Sequence, residues 1–314
     1  MSEPLALDFE AYVAAKKAAQ KGGSGSEVGG ASHRGPFPHA GRDPDHAYAY
    51  ASDHTARATF ERMKPVELAV EGSVRAFKQV WRSQLLGQSV KVSERQFPRI
   101  QAITRRCADT LGIPTPQVYI VNSPQLNAAT YGTNEESFVM VHSALVDHYT
   151  DDELLTVIGH ECGHIHNSHV VYLTALHYLT QVAGVFVRWA VQPAMIALRA
   201  WSRRAEITCD RAGMLCAKDS RTAERAITKL ALGSRKLYEE FDLEAFLEQN
   251  AESNEGIGRF MEVFATHPWL PKRVLAMRAF AESEMYRGAA GLGTGGLAMD
   301  EVDERVRVLL LGDT

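Results

Sequence analysis

Two histidines one helical turn apart constrain this 314-residue chain more than any other feature. His160 and His164 lie four residues apart, so a helix places both imidazoles on one face. The preceding residues predict that helix, because Thr150 and Glu153 have the spacing of a capping box and acids occupy the first turn. The surrounding residues are apolar. A domain built on this helix must therefore bury two imidazoles and supply polar partners for them.

The acid between the two histidines makes the pattern typical of a zinc site. Two neutral imidazoles and a carboxylate hold Zn²⁺ and leave one coordination position open for water. Glu161 directly follows His160, from where it reaches that water as a base. The sequence therefore predicts His160 and His164 as metal ligands and Glu161 as a catalytic residue.

A second helix is expected to supply the third ligand. Glu206 and Asp210 are four residues apart, so they share one helical face. We predict that Glu206 binds the metal and that Asp210 accepts a hydrogen bond from the other ring nitrogen of a histidine ligand. Without the histidine pair, both acids would be interpreted as a solvated helix face.

These residues also carry a family resemblance. The segment IGHECGHIHNSH, followed by SRRAEITCDRAGM, resembles the HtpX-like and CAAX prenyl protease family of gluzincin metallopeptidases. The resemblance extends from about Ser73 to Phe280, and includes SPQLNAATYG, similar to the family's substrate-side strand, and THPWLPKR, similar to its later His-Pro motif. It implies a zincin-like metallopeptidase domain in which Glu161 is the base and Glu206 the third ligand.

Two cysteines depart from the family pattern. Cys162 and Cys209 stand where an aliphatic residue and an alanine are commoner, and we interpret both as small packing residues. The chain has only four cysteines, and its start lacks the basic and apolar regions of a signal peptide. Both features favour a reducing, cytoplasmic location.

The other two motifs carry expectations about substrate. Asn127, Ala128 and Ala129 begin the edge strand to which an extended peptide would add. By resemblance, His267 and Arg273 either stabilise an oxyanion or cover the metal in a resting form. Without the resemblance they are a loop histidine and a surface arginine.

Together these residues predict a zinc-dependent metalloendopeptidase acting on protein or peptide substrates, in which Glu161 activates a zinc-bound water. One alternative is a zinc-containing peptide-binding or chaperone-like protein without turnover, and another is a metal hydrolase of small amides. Glu161 favours an enzyme over a binding protein, because a structural zinc site needs no base beside an open coordination position.

Composition divides the chain into three regions. We predict a flexible Gly/Ser/His-rich N-terminal region at 1–60, the metallopeptidase domain at 61–287, and a Gly-rich and charged C-terminal tail at 288–314. An N-terminal region that reached the metal through its histidines would act as a detachable inhibitor. A plain linker is the simpler interpretation.

Apolar periodicity predicts an α+β fold that is mainly α, with a small sheet of about three strands. The strand candidates are Gln117–Val121, Leu126–Tyr131 and Ser137–Val141. Besides the helix that begins after Thr150, helices are expected at 6–20, 97–111, 222–239 and 271–285, together with a long one after Trp201.

Charge and hydropathy bear on the partners. A net charge of −4 provides no broad basic field for nucleic acid or for an anionic membrane. Val170 to Val187 contains no Asp, Glu, Lys or Arg, but it falls just short of the roughly 20 residues that span a bilayer. Arg188, Pro193 and Arg199 follow it. We therefore expect a buried or dimer-forming helical hairpin, with membrane association as the alternative.

Overall fold

Helices dominate the computed structural model, which describes residues 46–60, 70, 87–134, 136–182, 192–232, 234–253 and 270–311. The helices are α1 (Ala51–Phe60), α2 (Pro98–Leu111), α3 (Ser143–His148), α4 (Asp151–His166), α5 (Val170–His177), α6 (Gln192–Ala217), α7 (Ser220–Leu232), α8 (Arg235–Tyr238), α9 (Leu243–Ser253), α10 (Leu270–Ala281), α11 (Glu284–Ala289) and α12 (Met299–Leu311). The strands are β1 (Ser89–Lys91), β2 (Gln117–Val121), β3 (Ala128–Gly132) and β4 (Ser137–His142). The predicted α+β class, mainly α, is confirmed. The helix expected at 6–20 lies outside the described residues.

The sheet has four strands rather than the expected three, in the order β1-β2-β4-β3. β2 and β4 are parallel, and the two outer pairs are antiparallel. β1 was not predicted, because it has only three residues, most of them exposed, and therefore shows no apolar alternation. β3 begins two residues later than expected and lies at an edge of the sheet.

The capping box of α4 is confirmed. The Thr150 hydroxyl accepts a hydrogen bond from the Glu153 backbone N–H at 3.3 Å, and the Glu153 carboxylate accepts from the Thr150 N–H at 2.9 Å. Glu153 is fully buried, and Arg225 and Lys229 of α7 donate to its carboxylate at 2.9 and 2.8 Å. The start of the histidine-bearing helix is therefore anchored to α7.

α6 begins at Gln192, before the expected start after Trp201, because Pro193 is tolerated in the first turn of a helix. The helices predicted at 222–239 and 271–285 are each divided at a serine. Ser234 caps α8 by accepting from the Leu237 N–H, and Ser283 caps α11 by accepting from the Tyr286 N–H. The segments 222–239 and 271–285 therefore each contain parts of two helices.

Glycines allow α4 and α6 to approach closely. A methyl group at Gly163 would lie 2.7 Å from the Cβ of Ala212, and one at Gly213 would lie 2.6 Å from the Thr156 carbonyl oxygen. Real Cβ atoms do not approach other atoms so closely, so both positions require glycine. This close packing brings the face of α4 that carries the two histidines against the face of α6 that carries Glu206 and Asp210.

Part of the region predicted to be flexible, 1–60, is packed against α6. Tyr48 and Asp53 are completely buried, and the Arg211 guanidinium donates to the Tyr48 carbonyl at 3.1 Å. The Asp53 carboxylate accepts from Trp201 Nε1 at 2.8 Å and from Thr208 Oγ1 at 2.7 Å. The polar composition of this segment conceals these contacts, because its few buried side chains follow no helical period.

The charged segment predicted as a C-terminal tail forms α12. Met299, Val302 and Val306 are buried in the main core. Asp303 pairs with buried Arg211 of α6 at 2.8 Å and accepts from the Ala51 N–H at 3.1 Å. α12 therefore helps to hold the start of α1 in place.

The apolar run predicted as a helical hairpin forms α5 and a π-helical turn, Tyr178–Val182, and its remaining residues lie outside the described part of the chain. Among the described residues, no helix is both long enough and apolar enough to cross a membrane.

Candidate metal centre

The three predicted metal ligands meet between α4 and α6. His160 Nε2 lies 3.5 Å from Glu206 Oε2, and His164 Nε2 lies 3.5 Å from Glu206 Oε1. Glu206 and His164 are buried, and the His160 side chain is 13% exposed. Both Nε2 atoms therefore face one buried carboxylate, which is a donor set that suits a divalent cation.

A thiol lies in the same cluster. The candidate donor atoms of His160, His164 and Cys209 all lie within 4.8 Å of one another. However, Cys209 Sγ also lies 3.7 Å from His169 Nδ1, and His169 contacts the Nδ1 atom of His164 rather than the Nε2 atom that faces Glu206. Burial and the charge of Glu206 raise the pKa of the Cys209 thiol well above its usual value. The geometry favours Glu206 as the third donor.

Asp210 and Arg273 support the His160 side of the cluster. Asp210 Oδ1 lies 3.0 Å from His160 Nδ1. Arg273, from α10, donates to both Asp210 oxygens, at 2.8 and 2.6 Å, and lies 3.3 Å from Glu206 Oε2. Arg273 is buried. It is therefore not the surface arginine that its local sequence indicates.

These contacts set the charge states of the cluster. Burial by itself raises the pKa of Asp210, but Arg273 and His160 outweigh that effect and hold it below its usual value. Burial lowers the pKa of His160, while Glu206 and Asp210 raise it, and the net result is a raised pKa. Burial and the neighbouring His160 lower the pKa of His164. Asp210 is therefore an ionised acceptor for His160 Nδ1.

Glu161 has a partner that the sequence analysis missed. Thr130 Oγ1 of β3 donates to Glu161 Oε2 at 2.6 Å, and both residues are buried. Thr130 stands within the predicted substrate strand, but no spacing rule connects a strand residue to an acid 31 positions later. Only the packing of the sheet edge on α4 brings them together.

His164 also has partners that were missed. Its Nδ1 lies 3.2 Å from His169 Nδ1, and His169 Nε2 lies 3.0 Å from Asp53 Oδ2. His166 points elsewhere, since its Nδ1 lies 2.8 Å from the Tyr48 hydroxyl. Burial by itself raises the pKa of Asp53, but His169 and Thr208 outweigh it and hold that pKa at about 2.

A small, open cleft lies beside the cluster. Of the three predicted substrate residues, Asn127 and Ala128 line this cleft, whereas Ala129 is not among the described residues that do so. His267 lies outside the described part of the chain. The cleft is lined by Asn127, Ala128, Thr156, Val157, His160, Glu161, Glu206, Asp210, Ala226, Ile227, Leu230, Arg273 and Met277.

Comparison with known proteins identifies the family. The sequence model of peptidase family M48 matches residues 94–281, which is more than half of the chain. The chain belongs to peptidase family M48. The resemblance to HtpX-like metallopeptidases is thereby confirmed, and the M48 match contains α4, α6, β3 and α10.

Curated relatives agree with the M48 assignment. The chain is 34% identical to the plastoglobule-localized metallopeptidase 48 of Arabidopsis thaliana, over 52% of this chain and 49% of the relative. It is 28% identical to a protease HtpX homolog of Moorella thermoacetica, over 62% of this chain and 76% of the relative. A protease HtpX homolog of Methanosarcina mazei is also 28% identical, over 58% and 72%. The chain thus spans about half the length of the plant relative. No solved structure matches the chain significantly.

The M48 match does not include every residue at the cluster. His160, Glu161, His164, Glu206, Asp210 and Arg273 all lie within 94–281. Asp53, which reaches His164 through His169, lies before it. The segment before the M48 match therefore contributes a buried carboxylate to the surroundings of the cluster.

Proposed function

We propose that this M48 member is a zinc-dependent metalloendopeptidase that hydrolyses peptide bonds of protein or peptide substrates. One observation carries the proposal. Two histidine Nε2 atoms face the two oxygens of one buried carboxylate, each at 3.5 Å, and Glu161 adjoins them in an open cleft. A structural metal site would need no acid beside it in a cleft.

His160, His164 and Glu206 would hold the metal. Two neutral imidazoles and a carboxylate suit Zn²⁺ and leave a coordination position available. A zinc ion in such a site supplies a Lewis acid that acidifies water and polarises a carbonyl group. The Nδ1 atoms of both histidines are engaged, by Asp210 and by His169, so both rings are held with Nε2 towards Glu206.

Glu161 would act as the general base and then as the general acid. Its carboxylate takes a proton from the attacking water while the water oxygen bonds to the peptide carbonyl carbon. The same carboxylate then gives the proton to the amine nitrogen as the C–N bond breaks. The hydrogen bond from Thr130 to Oε2 orients the carboxylate at the cleft wall.

An extended substrate would add to β3. The backbone of β3 is hydrogen-bonded to β4 at every second residue. The hydrogen bonds from His142 N to Asn127 O and from Thr133 N to Glu136 O show which residues these are. By that alternation, Ala128 directs its N–H and C=O away from β4 and towards the open edge. The cleft is also lined by Ile227, Leu230 and Met277. It therefore suits a substrate with an apolar side chain near the cleaved bond.

Zinc content and cleavage of unfolded casein by the purified full-length chain test the proposal. The expected result is stoichiometric zinc, cleavage that stops when a chelator is added, and recovery when zinc is returned. Zinc retention without cleavage of casein or of short peptides would identify a zinc-containing peptide-binding protein instead. Hydrolysis of small amides alone would identify a different hydrolase.

A further inference from the structure

Three buried side chains form a series that ends at the candidate metal ligand His164. Asp53 Oδ2 lies 3.0 Å from His169 Nε2, and His169 Nδ1 lies 3.2 Å from His164 Nδ1. Asp53, His169 and His164 are 0, 1 and 3% exposed. With so little access to water, each polar atom in the series has to be satisfied by its neighbours.

The protein around Asp53 fixes the direction of these hydrogen bonds. Trp201 Nε1 donates to Oδ1, and Thr208 Oγ1 donates to Oδ2. A carboxylate that receives donors on both oxygens acts only as an acceptor, so His169 Nε2 must carry the proton that it shares with Asp53.

The direction then passes from ring to ring. A neutral imidazole has one N–H and one lone pair, so protonation at His169 Nε2 leaves the lone pair on Nδ1. That lone pair accepts from His164 Nδ1–H, and the Cys209 thiol, 3.7 Å away, is a second donor that faces it. His164 therefore presents its own lone pair at Nε2, on the side of Glu206.

We propose that Asp53 and His169 are positioning residues for His164, which hold it in the tautomer and orientation that bind the metal. This inference rests on the proposed metallopeptidase function. It makes the segment before the M48 match a working part of the metal centre. It also assigns Asp53, acting through His169, the role for His164 that Asp210 performs directly for His160.

If Asp53 only stabilised the packing of its segment, any substitution that loosens this segment would weaken zinc binding to a similar extent. Tyr48 lies in the same segment and is also fully buried, but its hydroxyl contacts His166 Nδ1 and Asn167 Nδ2, each at 2.8 Å. Tyr48→Phe therefore loosens the segment without touching the series that leads to His164. It is the matched control for a change at Asp53.

Asp53→Asn reverses the direction of the series while preserving its size. The amide nitrogen can donate to His169 Nε2, which then leaves Nδ1–H pointing at His164 and places the His164 proton on Nε2. The measurement is the zinc dissociation constant of the full chain in competition with a chromogenic chelator, with circular dichroism as the check on folding. We expect Asp53→Asn to weaken zinc binding about 10- to 100-fold, and Tyr48→Phe to change it less than about twofold.

A second pair of variants covers the case in which Asp53→Asn fails to fold. His169→Gln retains one donor and one acceptor, whereas His169→Leu retains neither. We expect zinc binding to fall about 10- to 100-fold in His169→Leu and to be restored for the most part in His169→Gln.

The outcomes separate this inference from the proposed function. Equal zinc affinity in Asp53→Asn and Tyr48→Phe, or in His169→Leu and His169→Gln, overturns the positioning role while leaving a zinc-dependent parent enzyme intact. A parent chain that binds no zinc overturns both.

Discussion

His160 and His164 lie one turn apart on the same helix, yet the residues that contact their Nδ1 atoms come from different parts of the chain. His160 Nδ1 contacts Asp210 directly, and Asp210 is clamped by Arg273. His164 Nδ1 contacts another histidine, which contacts Asp53 of the N-terminal segment. The support for His160 lies within the M48 match, whereas the support for His164 extends beyond it. A compact sequence motif therefore relies on a carboxylate that lies far from it along the chain.

The largest expected effect on zinc binding comes from the residue that faces both histidines. Glu206→Ala removes the one acidic ligand and leaves two neutral imidazoles for a dication, so zinc affinity should fall more than about 100-fold. Cys209→Ala is the matched control, because it deletes the thiol of the same cluster, and it should change affinity only a few-fold. Chelator competition measures both. The reverse ranking would make Cys209 the third ligand.

The next prediction concerns His267, which lies outside the described residues. If it stabilises the oxyanion, as the family resemblance implies, His267→Ala should lower the turnover rate about 100-fold and leave zinc bound. Steady-state cleavage rates and zinc content measure this. A rise in activity would favour the covering role, and unchanged turnover would assign His267 to a structural loop.

The two supports can be compared directly. Asp210→Ala should weaken zinc binding or activity about 10- to 100-fold, because His160 loses its acceptor. Asp53→Asn should act on His164 alone. The double variant should therefore bind zinc more weakly than either single variant, since each substitution affects a different ligand. Zinc titrations of the parent, the two single variants and the double variant complete this cycle. A double variant no weaker than one single variant would show that the supports are not independent.

The smallest expected effect concerns the base. Thr130→Val removes the donor to Glu161 Oε2 and should lower kcat/KM about tenfold, because a hydrogen bond to a charged group is worth about 1.5 kcal/mol. Thr133→Val, directly after β3, removes a hydroxyl that accepts from the Glu136 N–H, and it should change kcat/KM less than about twofold. Equal values of kcat/KM in the two variants would show that Thr130 does not contribute to catalysis by Glu161.

The sequence predicted the parts of the molecule that depend on local spacing. The capping box of α4 and the positions of His160 and His164 follow from residues within one or two helical turns of one another. The same holds for Glu206 and Asp210 on α6. Their meeting across the helix pair could be expected because buried imidazoles require polar partners.

The parts that the sequence did not predict depend on packing between distant segments. Asp53 reaches His169 across 116 positions of sequence, and Thr130 reaches Glu161 from a strand. Neither contact produces a periodic pattern. α1 was placed in a peripheral region for the same reason, whereas α12 was placed there because a Gly-rich segment precedes it and charged residues make up much of it.

The central claim is that Glu161 performs the chemistry at a metal that other residues bind. Zinc content and casein cleavage of Glu161→Gln, measured beside the parent with and without a chelator, test it most directly. The account predicts that the variant retains stoichiometric zinc and loses about 10²- to 10⁴-fold of the parent's rate, while the chelator abolishes the parent's activity. A Glu161→Gln variant that cleaves casein as fast as the parent, with the parent insensitive to the chelator, would contradict it.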